Sequence, residues 1–266
     1  MKKYLSLAVL VTLGCVSSAA GQVPASKISR TPSGTPDLSG IWQVLNTANW
    51  DLEAHGAEAG PDSREGATGA VAPGPSVVEG GEIPYLAAAA AQRKQNFKDR
   101  WSADPEIKCY MPGVPRATYM PYPFQIIQGS ETIMISYEFA DAVRLIPMKN
   151  PGPAPADSWM GWSIGHWDGD TLVVDVSSQN DQTWFDRAGD FHSDALHVVE
   201  RYTPMDANIL MYEATIEDPK VFSRAWKIGM PLYRHVEKNA QLMEFKCIPF
   251  AEDVLYGNAG EREGSK

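Results

Sequence analysis

Residues 160–175, MGWSIGHWDGDTLVVD, constrain the chain more than any other stretch. Two alternating runs flank Asp168-Gly169, a dipeptide that tolerates the positive φ angles of a two-residue type I′ turn, so the segment predicts a tight β-hairpin. That turn sets Trp167 opposite Asp170, His166 opposite Thr171, Ile164 opposite Val173 and Trp162 opposite Asp175. Side chains alternate across a strand, which sorts the hairpin into two faces. One carries Met160, Trp162, Ile164, His166, Thr171, Val173 and Asp175. Its mixture of bulky apolar and polar groups predicts the wall of a ligand cavity. The other, with Gly161, Ser163, Gly165, Trp167, Leu172, Val174 and Val176, reads as packing.

A hairpin cannot bury its apolar face alone, and the chain supplies partners at short intervals. Strands are predicted at 40–45, 124–128, 132–139, 142–147, 197–203, 209–217, 223–228 and 242–248, with turn chemistry at 129–131 and 205–208. About ten short antiparallel strands give a mainly β fold: a lipocalin-like barrel, which leaves few strand edges unpaired, or alternatively a β-sandwich. Gly40-Ile41-Trp42 resembles the G-x-W at the first strand of lipocalins. Residues 87–101, rich in Ala, Gln and Lys and free of Pro and Gly, predict one helix in the N-terminal part. The chain then divides into a signal peptide over 1–20, a lead-in with the first strand over 21–50 and a flexible loop over 51–81. The helix with a Pro-rich connection follows over 82–123, the barrel over 124–250 and a C-terminal tail over 251–266.

The first segment, with Lys2, Lys3, an apolar run and Ser18-Ala19-Ala20, reads as a secretory signal, which makes a periplasmic or secreted location the expectation. Cys15 offers an acylation alternative. The apolar run is too short to span a bilayer. Cleavage leaves 21 basic against 33 acidic side chains, a balance that argues against nucleic acid and anionic lipid as partners. Cys109 and Cys247 are the two cysteines left, and in an oxidising compartment they are expected to pair. Closing so long a loop contributes about 4 kcal/mol in the chain-entropy picture.

Candidate chemistry falls in three places. Tyr137 and Glu138 end one predicted strand, and Arg144 on the next is placed to reach Glu138 across a short link; the alternative is an exposed cross-strand ion pair. Residues 191–202, FHSDALHVVERY, gather His192, Asp194, His197, Glu200 and Arg201. Histidine moves its proton near neutral pH and a carboxylate fixes its tautomer, so His192 or His197 is the candidate general acid/base. Strand parity separates His197, Val199 and Arg201 from Val198, Glu200 and Tyr202. A cation held by His192, Asp194 and His197 would need spacing that fits no standard ligand motif, so neither metal nor cofactor is expected. The hairpin adds Trp162 and His166, and Trp184 adds an aromatic wall. Gly161-Trp162-Ser163-Ile164-Gly165 fits G-x-S-x-G in form, but inside a continuous strand it lacks the strained turn that motif needs.

The segments PDLSGIWQ (36–43), YPFQIIQ (122–128), SIGHWDGDTLVVD (163–175), HSDALHVVERY (192–202) and TIEDPKVF (215–222) together resemble a family of secreted bacterial proteins found in proteobacteria and acidobacteria. The resemblance implies export and a lipocalin-like β architecture, and supplies no catalytic residue. The expectation is a cofactor-independent acid/base enzyme of lyase or isomerase type acting on a small apolar or aromatic molecule. His192 or His197 would move a proton, Asp194 or Glu200 orient it, Arg144 or Arg201 stabilise charge, and Trp162 and Tyr137 hold the ligand. The alternative is a non-catalytic barrel that carries a hydrophobic ligand.

Overall fold

The computed structural model describes residues 27–60 and 70–249; the expected signal peptide, Cys15 and the C-terminal tail lie outside them. Among the described residues nine strands form one antiparallel sheet: β1 (Gly40–Val44), β2 (Phe124–Gln128), β3 (Thr132–Tyr137), β4 (Val143–Pro147), β5 (Trp162–Asp168), β6 (Thr171–Ser177), β7 (His197–Pro204), β8 (Ile209–Glu217) and β9 (Trp226–Arg234). Their order, β4-β3-β2-β1-β9-β8-β7-β6-β5, curls the sheet into a nearly closed barrel. The helix α1 (Ala87–Ala103) sits where expected, and a single turn of helix, α2 (Arg116–Tyr119), precedes β2.

The lumen is filled. Trp42, Phe124, Ile133, Val174, Tyr202 and Tyr212 are each fully buried, and side chains of this size contribute roughly 1.5–3 kcal/mol apiece when withdrawn from water.

The barrel closes through side chains at the seam between β4 and β5. Arg144 Nε donates to Ser163 Oγ at 2.7 Å. Gly165 lies so close that a Cβ there would meet Ile146 Cγ2 at 2.8 Å and Met148 Sδ at 2.9 Å. This reverses the hairpin faces expected from sequence. Ser163, Leu172, Val174 and Val176 point inward, while His166 and Asp175 face solvent. The face with Ser163 and Gly165, read as packing, is the one that turns inward, and Gly165 is small because Ile146 and Met148 pack on it. The turn differs by one residue as well: Asp168 pairs with Thr171, Trp167 with Leu172 and His166 with Val173, which puts Gly169-Asp170 at the tip.

Two further expectations change. The strand expected over 223–228 begins only at Trp226 and runs on to Arg234 through Gly229 and Pro231, while 242–248 forms no strand and is pinned by the Cys109–Cys247 disulfide. The flexible loop expected over 51–81 is packed where it is described: Leu52, Val71 and Val78 are buried, and Val77 N and Glu79 N donate to Leu52 O and Lys227 O.

Antiparallel pairing sends the long connections (45–123, 178–196 and 218–225) out of one end of the barrel, and the short turns at 129–131, 169–170 and 205–208 out of the other. Scaffolds of this kind place their chemistry on such loops.

Candidate functional site

Inside the barrel, Arg144 Nη2 donates to Glu200 Oε2 in a fully buried ion pair. Glu200 Oε1 accepts from the hydroxyls of Tyr202 (3.0 Å) and Tyr212 (2.9 Å). Burial works against the Arg144 charge, and Glu200 beside it more than offsets that, holding the guanidinium protonated. Tyr137 also points inward and makes no well-aligned hydrogen bond beside Arg144. Arg144 therefore serves Glu200, across the lumen, and not Glu138, whose Oε2 instead accepts from Met243 N at 2.8 Å.

The remaining residues singled out in the sequence are spread over the molecule. His192 is buried, with Nδ1 2.9 Å from Ser193 O and Nε2 2.7 Å from Thr183 Oγ1. Nδ1 therefore carries the proton, Nε2 accepts, and burial lowers the tendency to protonate. Asp194 pairs with Lys220 at 2.5 Å on the surface and does not reach His192. His197 faces outward between Asp175 (2.9 Å) and Glu217 (3.6 Å), and Arg201 pairs with Asp168 at 2.8 Å on the same outer face. His166 is exposed at the hairpin tip, Trp162 is half-buried with Nε1 donating to Gly152 O, and Trp184 is half-buried in the 178–196 connection. His192, Asp194 and His197 do not converge on a common centre.

The titratable groups that do converge lie at the end of the barrel that carries the long connections. Two networks adjoin there. In the first, fully buried Arg116 makes a bidentate pair with Asp104 (2.9 and 3.0 Å) and a third bond to Glu106 (2.7 Å), while its Nε reaches Asn49. Arg187 Nε donates to Glu106 Oε2 at 2.7 Å. Burial disfavours the Glu106 charge, but Arg187 and Arg116 hold its carboxyl below the usual range. Among the described residues two guanidiniums face two carboxylates, a set neutral in charge.

The second network is not neutral. Asp51, Asp186 and Asp190 each present an oxygen within 4.8 Å of the others. Their only guanidinium partner among the described residues is Arg93, 3.2 Å from Asp190 and 3.6 Å from Asp51. Like charges at that spacing repel by at least about 3 kcal/mol per pair at an effective dielectric of 20. Burial first, and the Asp190 charge second, push the Asp51 carboxyl up to about 6; the same causes hold Asp186 well above the carboxylate range. Burial and Asp190 also raise Tyr85, whose hydroxyl donates to Asp190 Oδ1 at 2.8 Å.

Asp51 lies in the floor of a cleft lined by Trp50, His55, Phe97, Arg100 and Trp101. Trp50 and Trp101 meet edge to face with centroids 6.4 Å apart, and Arg100 lies 3.8 Å over the Phe97 ring. The helix that supplies Phe97, Arg100 and Trp101 docks on Gly189. Its φ is +87°, and a Cβ there would meet Asn96 Cβ at 2.6 Å. His55 Nδ1 is 3.0 Å from Glu53 O, which can only accept, so Nδ1 carries the proton and Nε2 is the basic nitrogen. Nε2 is shielded from solvent and has no hydrogen-bond partner. His55, Asp51, Asp186, Asp190, Tyr85 and Arg93 were all missed in sequence. The only trace of them there is the cluster of charges and aromatics at 184–191, WFDRAGDF. Compared with models of known protein families, with curated proteins and with solved structures, the chain matches none.

Proposed function

We propose that the protein is an exported acid/base enzyme of lyase or isomerase type, acting on a small aromatic molecule in the cleft beneath α1. The observation that carries this is His55. A carbonyl fixes its tautomer, its buried Nε2 has no partner among the described residues, and the His55 ring borders a cleft walled by two tryptophans and a phenylalanine. The cleft, about 20 Å³ as it stands, must widen to admit substrate; Trp50 and Trp101 then contact its ring, Nε2 removes a proton from it, and Arg100 stabilises the negative charge that develops. The Cys109–Cys247 disulfide supports export, because such bonds persist in oxidising compartments.

Nitrogen-15 NMR of histidine-labelled protein tests the central point directly. His55 should show a protonated Nδ1 and a bare Nε2; the opposite tautomer would remove the proposed base. In a panel of aromatic ketones and hydroxy acids in D2O, deuterium uptake at the acidic carbon should require His55 and disappear in His55→Gln. Uptake that survives this replacement would place the chemistry elsewhere.

A further inference from the structure

We propose that Asp51, Asp186 and Asp190 form a binding site for a hard divalent cation, calcium by preference. The site adjoins the cleft but does not rest on the acid/base reading. Three observations meet here. The carboxylate oxygens lie within 4.8 Å of one another, a span that one calcium ion bridges when it sits 2.3–2.6 Å from each. Asp190 is fully buried, yet its Oδ2 has no partner, although Oδ1 is doubly satisfied by Tyr85 and Arg93. When all three are ionised, three carboxylates against one guanidinium among the described residues leave two negative charges, the charge one divalent ion cancels.

The backbone prepares the site. Leu52 N holds Asp186 Oδ2 at 2.9 Å, Asp190 N holds Asp186 Oδ1 at 3.1 Å, and Glu53 N holds Asp51 Oδ1 at 2.8 Å. These bonds fix the carboxylates in place and leave lone pairs for a metal. All donors are oxygens, which favours calcium or magnesium over the softer transition ions, and carboxylates fixed by backbone bonds suit the irregular shell of calcium better than the strict octahedron of magnesium. The ion would tie the segment after β1 to the β6–β7 connection. The charged and titratable groups facing it are Arg93, Tyr85 and, beside Asp51, His55.

The test uses the mature protein stripped with EGTA, and it needs no substrate. Calcium should raise the unfolding midpoint saturably, by roughly 5–10 °C at a hundredfold excess over Kd. Terbium should bind with one-to-one stoichiometry, its emission sensitised by Tyr85 and quenched by competing calcium. Asp190→Asn should abolish both responses. If that variant does not fold, Asp51→Asn, at the half-buried edge, should weaken binding at least tenfold. Absence of a saturable response in the wild-type protein, or an unchanged response in Asp51→Asn, would overturn the site. Tighter binding of magnesium or zinc than of calcium would overturn the assignment of the ion. Failure of the His55 experiments would leave these readouts untouched.

Discussion

Glu200→Gln isolates the energetics of the barrel interior. The replacement keeps shape and leaves an amide oxygen to accept from Tyr202 and Tyr212, so both hydroxyls stay satisfied. It strands the Arg144 guanidinium, whose side chain is only 2% exposed, without a counter-charge. Removing one member of a buried pair costs about 3–5 kcal/mol. For a chain of this size that lowers the midpoint by roughly 6–20 °C, at 2–4 °C per kcal/mol. Arg144→Met should cost less, because Glu200 keeps two hydroxyl donors and can take up a proton, although the bond to Ser163 across the seam is lost. Glu200→Leu should cost more than Glu200→Gln, since the Tyr212 hydroxyl then loses its acceptor and an orphaned buried donor adds about 1–3 kcal/mol. The decisive variant is Arg144→Met with Glu200→Gln, which leaves no charge to strand. Urea unfolding should place it nearer the wild-type protein than Glu200→Gln alone, with a coupling of about 3 kcal/mol between the two sites. Additive losses, or a Glu200→Gln cost below about 1 kcal/mol, would refute the account of Arg144 and Glu200 as a charge pair isolated from solvent.

Replacing Cys109 and Cys247 together by serine opens a loop of 138 residues, which should cost about 5 kcal/mol in the chain-entropy picture, read as a lower midpoint under oxidising conditions and no difference from wild type in a reductant. In EGTA, the Asp51 carboxyl, held at about 6 against an ordinary 3.8, binds its proton more tightly in the folded than in the unfolded state. Its contribution to stability is therefore present below about pH 4 and lost as pH rises through 6, an amount on the order of 2–3 kcal/mol. The difference between wild type and Asp51→Asn, measured by urea unfolding from pH 4 to 7, should show that fall, and a flat difference would contradict the raised carboxyl.

What was legible in the sequence follows from where physical constraint is local. Residues 124–128 and 209–217 read correctly because each alternates along a strand bounded by turn residues. Strand parity likewise separated His197 and Arg201 from Glu200 and Tyr202, as the register of β7 has it. The disulfide was legible because two cysteines in an oxidising compartment have one simple solution. The hairpin interior was not. Its two faces carry similar apolar content, and the tie-breaker, Ile146 and Met148 pressing on Gly165, comes from a strand across the seam. Gly229 and Pro231 hid most of β9, since proline in a sheet interior normally argues against a strand. Asp51 and His55 stand in a stretch without periodicity, and their partners arrive from the β6–β7 connection, so no spacing rule could bring them together.

Charge balance distinguishes the Asp51, Asp186 and Asp190 cluster from the two arginine-carboxylate networks beside it and in the barrel. Burying a charge is costly unless it is paired, so a chain that buries several will, where the role is structural, bury them in equal numbers with every donor and acceptor engaged. Among the described residues Arg116 and Arg187 with Asp104 and Glu106 are balanced in charge, and so are Arg144 and Glu200, although Arg144 Nη1 has no partner. Asp51, Asp186 and Asp190 are not: they outnumber Arg93, their one guanidinium among the described residues, and leave Asp190 Oδ2 without a partner. Packing could remove that cost with one substitution, since asparagine at any of the three would relieve the repulsion and keep much of the hydrogen bonding. If the cluster were only structural, Asp190→Asn would stabilise the protein at neutral pH. If it holds a cation, the same substitution is favourable only in EGTA and becomes a liability when calcium is added, so the sign of its effect in the two buffers separates a tolerated defect from a site.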